Sequence, residues 1–332
     1  MYLRLIVAAL ALLVAAVAAA GWLVLSPGPG VESGPRVVEV PLHEGLLGIA
    51  GRLAEARVIR SRAAFVALSV ARGSGRRLKA GEYEVPRGAN THAVLALLES
   101  GRVKQHTVLH PEGASVAELA RALESERLVT AAAFVQTARD PALLKTLAIE
   151  GESVEGYLFP DTYQLVRGMA PEEIVTRMVQ RLRAKLGPEM LPRARQRGLT
   201  VHGLLTLASI IEREAAARDE MRLIAAVFWN RLRLDMPLQA DPTVQYALGK
   251  ERRALSRAEL QIDHPFNTYR RPGLPPGPIA SPGLLAIEAA LDPAPVKYLY
   301  FVKTDERRHH FSTTVEEHNA AVIRYRLARA RS

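Results

Sequence analysis

The chain has 332 residues, 48% hydrophobic and 23% charged, enough apolar mass for one large core or a large core plus a small one, and too little bias for global disorder. It contains no cysteine, which excludes disulfides, thiol catalysis and cysteine-ligated zinc. A formal net charge of +10 favours polyanionic partners, whether nucleic acid, acidic lipid headgroups or a carboxylate-bearing polymer, without choosing among them.

Residues 1–4 form a short head containing Arg4, and residues 5–25 (LIVAALALLVAAVAAAGWLVL) carry no charged side chain. At about 1.5 Å per residue this run matches a hydrocarbon core about 30 Å thick, and Trp22 falls at interfacial depth. The reading is a retained single-pass anchor in the cell (inner) membrane. The head then lies in the cytoplasm, and everything from Ser26 lies outside. The triplets Ala16-Val17-Ala18 and Ala18-Ala19-Ala20 resemble cleavage sites of a signal peptide, but the apolar run continues past them to Leu25. Under either reading the body is exported, and nucleic acid drops out as a partner.

Residues 26–36, rich in Gly and Pro, read as a linker. The next unit, 37–103, opens on an alternating strand at Arg36–Val40. Apolar residues at helical spacing follow from Leu46, then a helix over 61–71 with Ser61 as N-cap. Leu78–Pro86 (LKAGEYEVP) reads as turn plus strand, and 91–98 as another amphipathic helix. This β-α-α-β order resembles a LysM-like module, a fold that holds N-acetylated glycans; a plain spacer is the alternative.

A larger, mostly helical α+β unit spans 104–328. Thr107-Val108-Leu109 opens it as a strand, a helix starts at Ser115, and 131–138 and 171–186 read as helices. The stretch 202–234 is the strongest helical signal in the chain, and Pro/Gly-punctuated loops follow it. A strand at 298–303, a turn to 308–312 and a closing helix over 315–328 complete the unit. The fold class is therefore α+β with an N-terminal transmembrane helix.

No G-x-S-x-G elbow, penicillin-binding Ser/Lys pairing, H-E-x-x-H, Walker or dinucleotide glycine pattern occurs. His309 and His310 are adjacent and point apart on a strand, so with His318 they read as surface or turn residues rather than metal ligands. Carboxylate chemistry remains. In Leu204–Ala217 (LLTLASIIEREAAA) an apolar helix meets two acids. At about 100° per residue Leu204, Ala208, Ile211 and Ala215 form one buried stripe. Glu212 and Glu214 lie on its opposite shoulders and Arg213 faces outward. A carboxyl at such a margin is where desolvation raises the pKa, as a general acid requires. The alternative is a pair of solvated acids bridged to Arg218 or Arg222. Spacing does not choose between the two glutamates.

Downstream, NRL at 230–232, MPLQADPTVQY at 236–246, NTY at 267–269 and GLPPGPI at 273–279 put amide, hydroxyl and ring groups on Pro-stiffened loops. Such groups suit a sugar, though each loop alone is ordinary turn chemistry. Taken together, EGYLFPDTY, LASIIEREA, VFWNRL, LQADPTVQYALG, NTY and GLPPGPIASPG resemble, in order and spacing, the endolytic murein transglycosylases (the YceG-like family) over 107–326. One departure is Ala215, where relatives carry Thr after the glutamate.

The resemblance implies Glu214 as the catalytic acid and a lyase reaction on peptidoglycan glycan strands. Glu214 protonates the leaving oxygen of a MurNAc-GlcNAc β-1,4 bond, then deprotonates the muramic C6 hydroxyl, leaving a 1,6-anhydro end. No metal or organic cofactor is implied. Gln239, Tyr246, Asn267 and Tyr269 are the candidate substrate-binding residues, and cell-wall synthases of the elongation or division machinery are candidate partners. Asp241 is the partner acid if two carboxylates are needed, although Asp-Pro-Thr also reads as a turn or helix cap. A non-catalytic glycan-binding scaffold and a lysozyme-type hydrolase are the rival functions.

Overall fold

A computed structural model describes residues 2–250, 252–304 and 308–331. The chain divides into two compact units, Met1–His106 with Gln164–Gly168, and Thr107–Tyr163 with Met169–Ser332.

The first unit begins with α1 (Tyr2–Leu25), exposed up to Ala20 and long and apolar enough to cross a membrane, as a signal sequence near the N-terminus also is. Behind it lie β1 (Arg36–Val40), α2 (Leu46–Glu55), α3 (Arg62–Ala71), β2 (Gly81–Val85) and α4 (Thr91–Ser100). The strands pair antiparallel from Arg36↔Val85 to Val40↔Gly81. Period-two alternation turns Val38, Val40, Tyr83 and Val85 inward, onto Ile49, Leu53, Phe65 and Leu95 of the helices. Ser61 caps α3 by accepting from Ala64 N at 3.2 Å, as its position before the apolar run requires.

The Pro/Gly segment before β1 is docked rather than free. Val31 is fully buried, and Gly28 N donates to Ala89 O at 3.1 Å. A side chain at Gly28 would overlap the Val58 carbonyl, so Gly serves close backbone approach here rather than flexibility. The end of α1 is tied to the same unit. The Arg60 guanidinium lies 4.6 Å over the Trp22 ring, and Thr91 Oγ1 donates to Leu23 O at 3.2 Å.

The second unit contains α5 (Val116–Ser125), α6 (Ala131–Thr137), α7 (Pro141–Thr146), α8 (Pro171–Gln196), α9 (Val201–Glu214), α10 (Met221–Arg233), α11 (Asp241–Ala247), α12 (Leu284–Leu291) and α13 (Val315–Arg331). β3 (Gln105–His110) pairs with β4 (Asp161–Val166), and β5 (Tyr300–Lys303) pairs antiparallel with β6 (His309–Ser312). The boundary between the units passes through both β3 and β4. Ser115 and Glu118 close a reciprocal capping box at the start of α5. α8 is kinked at Gly187 (φ 61°, ψ 167°), so its first straight part ends where the sequence ends the helix.

Two expectations change here. The helix carrying the glutamates is not amphipathic with one stripe: every residue from Leu204 to Ile211 is buried, because α8, α10, α11 and α12 all pack on it. Full burial of each aliphatic side chain contributes about 1.5–3 kcal/mol, so α9 is the central strut of the unit. Second, 202–234 is two helices. The chain leaves α9 at Ala215 in an extended conformation (φ −69°, ψ 117°), makes a 3-10 turn at Arg218–Glu220, and restarts at Met221. The turn is held from far along the chain: Arg308 Nη1 pairs with Asp219 at 2.6 Å, and Glu220 accepts from His309 N at 3.1 Å.

Candidate active site

The break after α9 separates the fates of its two acids. Glu212, on the last full turn, accepts the buried backbone N–H of Gly283 at 2.9 Å, at the N-terminus of α12. Burial raises its pKa, and the Gly283 bond opposes that rise. Neither acid pairs with the arginines that spacing offered. Arg218 reaches Glu112 at 3.1 Å, and Arg222 reaches Asp292 at 2.7 Å. Glu212 therefore fastens α12 to α9. Glu212→Gln keeps an acceptor for Gly283 and should change stability by less than about 1 kcal/mol in urea titration. Glu212→Ala orphans a buried N–H and should cost about 1–3 kcal/mol.

Glu214 is the last helical residue, half-buried, with no hydrogen bond to its carboxyl among the described residues. It lines a cavity of about 880 Å³ together with Gln239, Asp241, Tyr269, Lys303 and His309. That is within the roughly 300–1,000 Å³ range of small-molecule sites. Burial pushes its pKa up to about 8. The Asp241 charge adds to the rise, and Lys303, Arg231 and Arg213 oppose it. A carboxylic acid still protonated at neutral pH and open to a cleft can deliver a proton.

The loop after α10 is fixed by one buried side chain. Arg231 donates to Leu299 O at 2.7 Å, Leu238 O at 2.8 Å and Gln239 Oε1 at 3.2 Å, and its guanidinium lies 5.3 Å from the Tyr300 ring centroid. Gln239 takes a left-handed backbone (φ 50°). That conformation is rare for a residue with a Cβ and is sustained here by surrounding bonds: its N donates to Thr268 O at 3.0 Å. Of the loop expected over 236–246, the part from Asp241 is helix α11, with Pro242 in its first turn.

The four candidate binding residues separate. Gln239 and Tyr269 face the cavity and also line an adjoining hollow of about 490 Å³. Asn267 is fully buried. Its Nδ2 donates to Leu260 O and Ile262 O at 3.0 and 2.8 Å, and its Oδ1 accepts Tyr269 N at 3.0 Å. Tyr246 packs on Phe266 with ring centroids 5.0 Å apart and bonds Glu155, and its phenol pKa is raised, chiefly by burial. Neither Asn267 nor Tyr246 lines the cavity.

Among the cavity residues, Phe301 and Lys303 were not singled out by the sequence, and His309 and His318 were expected at the surface or in a turn. His309 is buried, not a surface residue, because Glu220 Oε2 meets its Nδ1 at 2.8 Å. Along β6 only His309 and Ser312 are buried. His318 stacks on Tyr300 at 5.3 Å, and burial is the main cause of its lowered pKa. Away from the cavity, Gly156 of the EGYLFP segment has φ 79°, and a side chain there would overlap Pro278. That contact fits the EGYLFP and GPIA segments together.

The YceG-like family model matches residues 38–324. The endolytic murein transglycosylase of Bacillus subtilis (strain 168) is 33% identical over 306 residues, 87% of this chain and 84% of that protein. The endolytic murein transglycosylase of Streptococcus pneumoniae serotype 2 (strain D39) is 32% identical over 280 residues, 75% of this chain and 51% of that protein, so the chain spans about half its length. A crystal structure of a YceG-like protein from Listeria monocytogenes has 32% identity and a TM-score of 0.61, covering 86% of this chain and 98% of that one. With a family model matching most of its length and relatives above 30% identity, this chain belongs to the YceG-like family.

Proposed function

We propose that this protein is an endolytic lytic transglycosylase that cuts the MurNAc-GlcNAc β-1,4 bond within nascent peptidoglycan strands and leaves 1,6-anhydro-MurNAc ends. The observation that carries the reading is Glu214: a carboxyl without a hydrogen-bond partner among the described residues, its pKa pushed up to about 8, in the cavity of a YceG-like chain. The relatives named as endolytic murein transglycosylases support the same activity. Glu214 gives its proton to the departing GlcNAc oxygen as the C1–O bond breaks. The resulting carboxylate takes the proton of the C6 hydroxyl, whose oxygen closes onto C1. No water is consumed, and one carboxyl serves both steps.

Gln239 and Tyr269, shared by the cavity and the adjoining hollow, contact neighbouring sugars. Asn267 and Tyr246 hold the loops that present them. The helix Tyr2–Leu25 keeps the protein in the cell membrane with its head in the cytoplasm and the remainder outside. The β1-α2-α3-β2 unit acts as a LysM-like holder of glycan, and cell-wall synthases that supply nascent strands are the fitting protein partners.

The test is mass spectrometry of fragments released from isolated glycan strands by the detergent-solubilised full chain. Internal fragments with anhydro ends are expected. Reducing ends would indicate a hydrolase, and strand binding without product would indicate a scaffold. The anchor is tested separately with a C-terminal tag. It should stay in the membrane fraction at high salt and be open to protease added outside; a shortened soluble protein would mean cleavage.

A further inference from the structure

The cavity contains a second carboxylate that the one-acid mechanism leaves idle. Asp241 is the first residue of α11, and no side-chain cap bond is present at that helix start. Its exposed side chain lines the cavity with Glu214. Tyr269 Oη donates to its Oδ1 at 2.5 Å, and its other oxygen has no partner among the described residues. Asp241 is set in place from both sides. Ala240 N donates to Thr268 Oγ1 at 3.1 Å, Thr268 Oγ1 meets Thr243 Oγ1 at 2.9 Å, and Asn267 holds Tyr269 N. The Asn267-Thr268-Tyr269 segment is thus a clamp on one carboxylate.

We infer that Asp241 is a second substrate-touching residue, whose free oxygen accepts the N–H of the muramyl acetamido group at the reacting sugar. This rests on the transglycosylase reading above and supplies what that reading lacks, a partner for C1 between bond breaking and ring closure. As the proton of Glu214 passes to the leaving oxygen and the C1–O bond breaks, the acetamido carbonyl oxygen bonds to C1. The amide N–H gains positive character and is held by the Asp241 carboxylate. The C6 oxygen then bonds to C1 and its proton goes to Glu214. The carbonyl oxygen leaves C1, and the neutral amide and both carboxyl groups are restored. The tyrosine phenol suits this role: burial and the neighbouring Asp241 raise its pKa, so it stays a donor and holds one oxygen while the other faces substrate. The Asp241 charge also contributes to the high pKa of Glu214, which places the two groups within electrostatic reach of each other.

The experiment uses the detergent-solubilised full chain, with strands bearing native N-acetyl groups and strands bearing N-trifluoroacetyl groups, whose carbonyl is a poor nucleophile. Asp241→Asn should lower kcat about 10²-fold or more, the scale of a lost proton-handling or charge-stabilising group, with KM within about threefold. The modified strand should slow the wild type comparably. Applied together the two losses should fail to multiply, because each removes the same step. Tyr269→Phe, which leaves the carboxylate in place, should cost only about tenfold and guards against a folding defect in Asp241→Asn. Losses that multiply, an Asp241→Asn kcat within threefold of wild type, or a glycosyl group covalently attached to Asp241 in intact-protein mass spectra would each overturn the role. Those results, obtained while the wild type still makes anhydro ends, leave the transglycosylase reading standing. A wild type that makes none removes both.

Discussion

Glu214→Gln should lower turnover on glycan strands by at least 10²–10⁴-fold, the usual contribution of a positioned acid–base group, and by more if the one carboxyl serves both steps. The amide is nearly isosteric and cannot deliver a proton. The carboxyl it replaces has no hydrogen bond among the described residues to lose, so the urea midpoint should hold or rise slightly. The wild-type pH profile follows from the same group. The acid form is the active one, and with a pKa pushed up to about 8 activity should be maintained through neutral pH and fall as pH rises past about 8. The groups facing this carboxyl are Asp241, Lys303, Arg231 and Arg213. Removing the Asp241 charge should move the basic limb to lower pH, and removing Lys303 should move it higher. A turnover for Glu214→Gln within threefold of wild type would sink the assignment.

Arg231→Met should be the most destabilising single change near the site, on the order of 3–5 kcal/mol. The buried guanidinium satisfies the carbonyls of Leu299 and Leu238 and also bonds the exposed side chain of Gln239; each of the two orphaned interior carbonyls costs about 1–3 kcal/mol, and the rest is lost packing of the guanidinium. Methionine fills a similar volume, so most of the loss reports bonding rather than a cavity. Because the same bonds hold β5 against the loop that leads to Asp241, activity should fall even at temperatures where the variant is folded. Arg231→Lys should recover only part of the stability, since one ammonium does not reproduce the planar fork. A urea midpoint for Arg231→Met equal to wild type would show that the arginine is not the fastening of this loop.

Local signals were the legible ones. Ser61 and Ser115 announce their helices because capping is a contact over three residues, and α9 is announced by an apolar run that ends on two acids. The difference in surroundings between those acids was not legible. It depends on the Gly283 N–H, 71 residues away, and on a helix end at Ala215 followed by two more alanines, a residue type that favours continuing the helix. The turn is imposed by Arg308 and His309, 89 residues on. The same distance hid His309, read as a surface histidine because its partner Glu220 belongs to another segment. Asn267 and Tyr246 were recognised by residue type, which does not distinguish an amide that holds a loop from one that holds a sugar. Asp241 is the converse case: its turn chemistry is real, since it opens α11, and that chemistry also delivers its carboxylate to the cavity.

The measurement that bears most directly on the central claim is digestion of glycan strands in water enriched in heavy oxygen. If Glu214 drives intramolecular closure by the C6 hydroxyl, the new muramic ends contain no heavy oxygen and are one water lighter than reducing ends. Heavy oxygen at those ends would mean that water is the nucleophile and that the site is a hydrolase.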